Sequence, residues 1–253
     1  MRTEAVTTLI REVTDQVILP RFRHLAPAEV IQKQPGDLVT VADREAEAVL
    51  TAVLHAATPD AAIVGEEATF ADPSLLGRLD HAEHAWVIDP VDGTRNFAHG
   101  SEDFGVMVAE VRAGQTVRGW IWQPRHDRFF EVERGGGATC NGEPLPPLRP
   151  HGAPWTAAVW MKLQREADPR LLLRRTRGSC AIDYPALACG EVDALAYRSV
   201  HPWDHLAGAL LVTELGGVSR LDGRPYGSGM TGSLIVTADS AAPARAVEEL
   251  ART

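Results

Sequence analysis

Apolar residues recur at helical spacing over the first twenty positions. Val6, Leu9, Ile10, Val13 and Val17 fall on one side of a helix predicted over residues 3–21. A second helix is predicted over 43–56, with Ala46, Val49, Leu50 and Val53 as its apolar stripe. Both would cover one face of a sheet. Two short apolar runs, Ala61-Ala62-Ile63-Val64 and Trp86-Val87-Ile88, read as buried strands. From Phe104 the pattern changes, and residues 105–111, 117–122 and 128–132 predict successive antiparallel strands with turns at Ala113-Gly114 and Pro124-Arg125-His126. Gly135-Gly136-Gly137 and Asn141-Gly142 read as turns that end this sheet. The glycines lack the flanking lysine and Ser or Thr of a phosphate-binding loop.

The stretch Leu145-Pro146-Pro147-Leu148-Arg149-Pro150 is the expected junction. It separates an α+β half, residues 1–145, from an α/β half, residues 146–253, and the two can equally be counted as one domain. In the second half, 157–161, 194–197 and 233–236 are strand-like while 206–215 and 242–250 are helical, the alternation of an α/β layer.

Composition narrows the function. A net charge of −9 over 253 residues offers no basic stripe to displace counterions from a nucleic acid, so a small substrate is expected. No apolar run reaches membrane-span length, and Met1-Arg2-Thr3-Glu4-Ala5 lacks the apolar core of a signal peptide. The expectation is a cytoplasmic protein with no membrane partner. Cys140, Cys180 and Cys189 are odd in number and lack metal-binding spacing, so they are read as reduced, buried thiols. Arginine outnumbers lysine 23 to 2, a usage typical of high-GC bacterial genomes.

The chemistry concentrates at Asp89-Pro90-Val91-Asp92-Gly93-Thr94. Two carboxylates three residues apart stand where an apolar strand is expected to break. Pro90 has no N–H for the ladder, and Gly93 permits a tight turn. In an apolar setting the two acids would repel, and a bound divalent cation accounts for them. Gly65-Glu66-Glu67 puts a second acidic pair at a strand end, and Asp204 stands in the first turn of the helix that Pro202-Trp203 opens. Each feature has an ordinary reading: a polar turn, solvated glutamates, an acid favoured by a helix dipole. Their conjunction favours a metal centre.

These residues together resemble the signature of the inositol monophosphatase family of magnesium-dependent, lithium-sensitive phosphatases. The match comprises Gly65-Glu66-Glu67, Asp89 to Thr94, and Trp203-Asp204 with Ala207-Gly208. It also takes in Lys33 before Gly36-Asp37-Leu38-Val39-Thr40-Val41-Ala42-Asp43, in family order along almost the whole chain. A haloacid dehalogenase phosphatase is excluded, because its nucleophilic aspartate would stand where this chain has Pro90.

The resemblance implies a layered αβαβα sandwich of the inositol monophosphatase and fructose bisphosphatase type, commonly a homodimer, with two or three Mg2+ ions. It assigns Glu66, Asp89 and the Val91 carbonyl to one ion and Asp89, Asp92 and Asp204 to a second, with Glu66 reaching a third through water. Such metals, about 3.5–4 Å apart, stabilise the attacking and the departing oxygen. Catalytic roles fall to Glu66, and to Thr94 supported by Asp43, the pair that orients water and relays its proton. For Thr94 a helix N-cap is the alternative. Backbone N–H groups near Gly93 and Thr94 would face the phosphate. Lys33 and the Gly36-Asp37 loop either close over the metals or carry an ordinary solvated lysine.

Substrate contacts are implied for Asp92, Gly93, Thr94, Gly178, Ser179, Cys180, Tyr197 and Arg198. Here the sequence departs from the family. Ile182-Asp183-Tyr184 replaces small and amide residues, and Tyr197 aligns where inositol monophosphatases carry a ring-binding glutamate. A phenol cannot supply two carboxylate oxygens. Arg198 is read either as the partner of a second anionic group on the substrate or as a surface arginine. His201 either touches substrate or packs, with packing favoured, and Trp203 is read as a core anchor. The expected activity is hydrolysis of a small phosphorylated alcohol: an inositol phosphate, histidinol phosphate, sugar bisphosphate or phosphoadenosine phosphate. A non-catalytic binding or regulatory relative is the alternative from another class.

Overall fold

Five layers stack in a computed structural model that describes residues 1–34, 37–80, 82–165 and 167–252. The outermost helices are α1 (Thr3–Val13), which runs on through a π turn to Ile18 and a short 3-10 turn to Arg21, and α2 (Val41–Ala57). Between them, β1 (Val30–Gln34) and β2 (Asp37–Thr40) form an antiparallel hairpin. Next comes a seven-stranded sheet in chain order: β3 (Ala62–Gly65), β4 (His84–Asp92), β5 (Gly105–Arg112), β6 (Gln115–Gln123), β7 (Arg128–Glu133), β8 (Gly137–Cys140) and β9 (Glu143–Pro144). Only β3 and β4 pair in parallel.

Two short helices sit at the strand ends of this sheet, α3 (Glu66–Ala71) after β3 and α4 (Thr94–Ala98) after β4. The middle layer is α5 (Cys180–Ala188) and α6 (Pro202–Glu214). A six-stranded sheet follows, formed by β10 (Trp155–Val159), β11 (Leu171–Arg175), β12 (Ala194–Tyr197), β13 (Val218–Leu221), β14 (Arg224–Pro225) and β15 (Ile235–Ala238) in the order β11-β10-β12-β15-β13-β14. Helix α7 (Ala241–Leu250) covers its far face.

Strand alternation builds the layers. On β4, Trp86 and Ile88 join Val106, Val108, Trp120 and the buried faces of α1 and α2, while Ala85 and Val87 join Met107, Ile121 and the helices α5 and α6. Hydrophobic residues thus face both ways from one sheet. Gly208 of α6 lets that helix close on α5, because a Cβ there would lie 2.2 Å from the Tyr184 ring.

The structure adds elements with no predicted counterpart, among them the β1–β2 hairpin, β11, α5 and β13, and departs from the predicted pattern at four further places. β4 does not end at Ile88 but continues to Asp92. The glycine run does not end the first sheet, since β8 and β9 extend it through turns at Gly135 and Asn141-Gly142. On α2, Val49 and Val53 are 40% and 38% exposed, and the inward stripe is Asp43, Ala46, Glu47, Leu50 and Leu54. Cys180 is buried, but Cys140 is half-buried and Cys189 exposed. Among the described residues no helix is long and apolar enough to cross a membrane.

Candidate active site

Asp89 and Asp92 meet because of a bulge. Asp89 pairs with Met107 and Asp92 with Gly105, so three steps on β4 oppose two on β5. In a regular strand, residues three apart point to opposite faces. The extra residue, in a stretch where Pro90 has no N–H to offer, turns Asp92 to the same side as Asp89. Asp204, delivered by the first turn of α6, completes the group: one oxygen from each of the three acids lies within 4.8 Å of the others.

Asp92 is held from the layer behind. Ser179 Oγ donates to its Oδ2, and the Ala181 N–H, at the start of α5, donates to the same oxygen at 2.6 Å. Gly93 follows at φ +86°, where a Cβ would lie 2.9 Å from Ser179 Cβ and 3.0 Å from the Asp103 carbonyl oxygen. Gly93 precedes α4, so the helix cap is Gly93 and not Thr94, which is the first helical residue. Thr94 Oγ1 lies 2.9 Å from Asp43 Oδ1 and 3.0 Å from the Val91 carbonyl. Its single proton serves one of these acceptors at a time. Asp43 Oδ2 accepts from the Thr40 N–H at 2.9 Å and from the Thr40 hydroxyl, a capping box for α2.

Electrostatics follow from this crowding. Burial lifts the Asp89 carboxyl well above its ordinary range, and the charges of Glu66, Asp92 and Asp204 add to the effect. Burial also pushes Asp92 up to about 6, against the hydrogen bonds from Ser179 and Ala181, and Asp43 up to about 6, against those from Thr40. The compensating cation is Lys33. Its ammonium donates to Glu66 Oε1 at 2.9 Å and to Glu67 Oε1, with only 3% of the side chain exposed. Burial alone would lower the Lys33 pKa, but the two glutamates hold it above its usual value. Glu67 is raised to about 7 by burial. Lys33 is therefore neither solvated nor distant from the acids. Gly36 of the loop beyond it lies outside the described residues, as does the side chain of Asp37.

Glu66, Asp89, Asp92, Thr94 and Asp204 line a cleft of about 190 Å³ that Leu38, Val91, Gly93, Arg95 and Gly178 complete. Larger hollows elsewhere contain none of these acids. The other expected substrate contacts lie outside the cleft lining. Ser179 is spent on Asp92, and Cys180 is buried with its Sγ 3.8 Å from His205 Nδ1. The Tyr197 hydroxyl donates to Asp183. Arg198 lies over the Trp160 ring at 4.8 Å and reaches the Ala251 carbonyl at 3.4 Å. His201 stacks on Trp203 with centroids 4.9 Å apart, the packing read from sequence.

Two residues to which the sequence reading gave no role shape the site. Glu47 accepts from the Glu67 and Ala68 N–H groups at 2.7 and 2.8 Å, anchoring the start of α3 and hence Glu66. Its signal was present, since Asp43, Glu47, Leu50 and Leu54 share a helical face. Asp183 accepts from the Arg177 N–H and from Tyr197, fixing the turn before α5. No local pattern announces that role.

A family model described as the inositol monophosphatase family matches residues 2–252. The chain belongs to that family. It is a phosphatase of the inositol monophosphatase type, and its relatives agree. It is 33% identical over 216 residues to an inositol-1-monophosphatase of Mesorhizobium japonicum, covering 80% of this chain and 79% of that protein. It is 34% identical over 215 residues to the Nus factor SuhB of Pseudomonas aeruginosa, covering 78% of each. Among solved structures, an IMPase/NADP phosphatase complexed with Mg2+ and phosphate superposes with a TM-score of 0.79 at 21% identity, over 98% of this chain and 95% of that one. The inositol monophosphatase fold thus extends over both sheets.

Proposed function

We propose that this chain is a magnesium-dependent phosphomonoesterase that hydrolyses a small phosphorylated alcohol by direct attack of water. One observation carries the reading: Asp89, Asp92 and Asp204 converge within 4.8 Å beside the Thr94–Asp43 pair.

The donor set fits a hard divalent cation. All its donors are oxygens, and the carboxyl groups of Asp89 and Asp92 are raised by burial and mutual repulsion that a cation would relieve. Asp89, Glu66 and the Val91 carbonyl would hold one ion and Asp89, Asp92 and Asp204 a second, with Glu66 reaching a weaker third. When bound, the ions supply charge stabilisation at the phosphoryl oxygens and acidify the attacking water. Thr94 orients that water, accepts its proton, and passes its own hydroxyl proton to Asp43, whose carboxyl sits near 6. Ser179 and the start of α5 fix Asp92 so that it need not reorganise during the reaction. The Mg2+ and phosphate in the solved relative support the same reading.

Inositol phosphate, histidinol phosphate, sugar bisphosphate and phosphoadenosine phosphate are the substrates to test. Phosphate release from this panel with and without magnesium, with Asp92→Asn as the blank, checks the activity. Release that magnesium does not change would sink it. The family resemblance supports a homodimer, and the free thiols suit a reducing cytoplasm. The likeness to Nus factor SuhB favours a second role as a binding or regulatory factor, which would persist in Asp92→Asn.

A further inference from the structure

The acid cleft has one cationic side chain in its lining among the described residues, Arg95, on the first turn of α4 beside Thr94. Nearby arginines are committed elsewhere. Arg125 pairs with Glu102 at 3.2 Å, Arg177 with Glu191 at 3.4 Å, and Arg198 lies on Trp160. Lys33 is taken by Glu66 and Glu67. Arg95 is exposed, and among the described residues no carboxylate pairs with its guanidinium. Its backbone carbonyl accepts from His99, and among the described residues its side chain makes no hydrogen bond.

We propose that Arg95 is a specificity residue, selecting phosphate esters whose alcohol portion carries a second oxyanion, a carboxylate or a phosphate. The inference rests on the phosphomonoesterase reading and adds the substrate class to it. With the scissile phosphate seated at Asp89, Asp92 and Asp204, the lining left to meet the alcohol, beyond the acids and the turn from Val91 to Thr94, is Leu38, Gly178 and Arg95. Leu38 and Gly178 offer no side-chain hydrogen bond to a polyol. Arg95 offers five N–H donors in a planar fork that matches two oxyanion oxygens. The sequence reading looked for this cation at Arg198; the structure puts Arg95 at the cleft.

The test compares glycerol 3-phosphate, whose alcohol is neutral, with 3-phosphoglycerate and fructose 1,6-bisphosphate, whose alcohols carry a carboxylate and a second phosphate respectively. Wild type, Arg95→Ala and Arg95→Lys are assayed for kcat/KM, and binding of the same esters is measured by calorimetry in a Thr94→Ala background. Wild type should prefer at least one ester whose alcohol carries an oxyanion by about tenfold or more, the scale of one charge-assisted contact. Arg95→Ala should bring the ratio towards one, with Arg95→Lys between them. The preferred ester tells carboxylate from phosphate. A wild-type ratio near one, or a preference that survives Arg95→Ala, overturns the inference while hydrolysis itself keeps the phosphatase reading. If no ester is hydrolysed with magnesium, both readings fall.

Discussion

Thr94 Oγ1 stands 2.9 Å from Asp43 Oδ1, tying the start of α4 to the first turn of α2. Both residues flank the acid cluster, and Asp43 is fully buried with its other oxygen engaged by Thr40. Thr94→Ala should therefore lower kcat by about 10²–10⁴, the range of a positioned proton-transfer group. Thr94→Ser should retain most of the activity, and thermal melts of both should match wild type. Equal losses in Ala and Ser variants would contradict a role for the hydroxyl.

The acid cluster sets a pH dependence. Burial, the leading cause, pushes the Asp43, Asp92 and Asp183 carboxyls from 3.8 up to about 6 and lifts Asp89 well above its ordinary range. Between those values the native protein holds protons that the unfolded chain has released, so stability of magnesium-free protein rises as pH falls from about 6 towards 4. His205 opposes this. Its Nε2 donates to the Ser199 carbonyl and its Nδ1 accepts from Tyr184, a neutral tautomer that burial holds down to about 4. Stability carried by neutral His205 is lost as pH falls from 6.5 to about 4. Four carboxyls outweigh one imidazole. Metal-free protein should melt at a higher temperature at about pH 5 than at about pH 7.5, and saturating magnesium should remove that advantage. A lower melting temperature at the acidic end without metal would contradict the charge balance.

Lys33→Met keeps an unbranched apolar side chain but removes the ammonium that lies 5.2 Å from the Phe70 ring centroid and the charge it shares with Glu66 and Glu67. Breaking a buried ion pair costs about 3–5 kcal/mol, and the partial exposure of Glu66, 17%, puts this case at the lower end. Urea unfolding of the metal-free variant should show that loss. Magnesium should then stabilise the variant more than it stabilises wild type, since it meets uncompensated carboxylates. An unchanged midpoint would mean that Lys33 is not the counter-charge of this cluster.

The helix α2 offers a contrast between neighbours. Leu50 is fully buried and Val49 is 40% exposed. Leu50→Ala should cost about 2–5 kcal/mol, and Val49→Ala no more than about 0.5 kcal/mol. Comparable losses would place Val49 against a partner surface in solution.

The acids proposed as metal ligands were legible because each adjoins an apolar run, at the end of β3, in the last residues of β4 or in the first turn of α6. Their convergence was not. The bulge that turns Asp92 to the side of Asp89 comes from pairing with β5, and single-strand periodicity cannot report it. Ser179 and Cys180 read as part of a substrate loop; the bond from Ser179 Oγ to Asp92 at the start of α5 is a tertiary contact that the sequence does not display. Val49 and Val53 fit a helical stripe, but the inward place belongs to Glu47, whose carboxylate caps α3. In each case a tertiary contact decided what the local pattern could not report.

The most direct test titrates Mg2+ into metal-free wild type, Asp92→Asn and Asp204→Asn by calorimetry, with circular dichroism confirming each fold. Wild type should bind with saturable heat, and each variant should lose at least one class of site while remaining folded. Undiminished binding in both variants would show that Asp89, Asp92 and Asp204 do not form the metal centre.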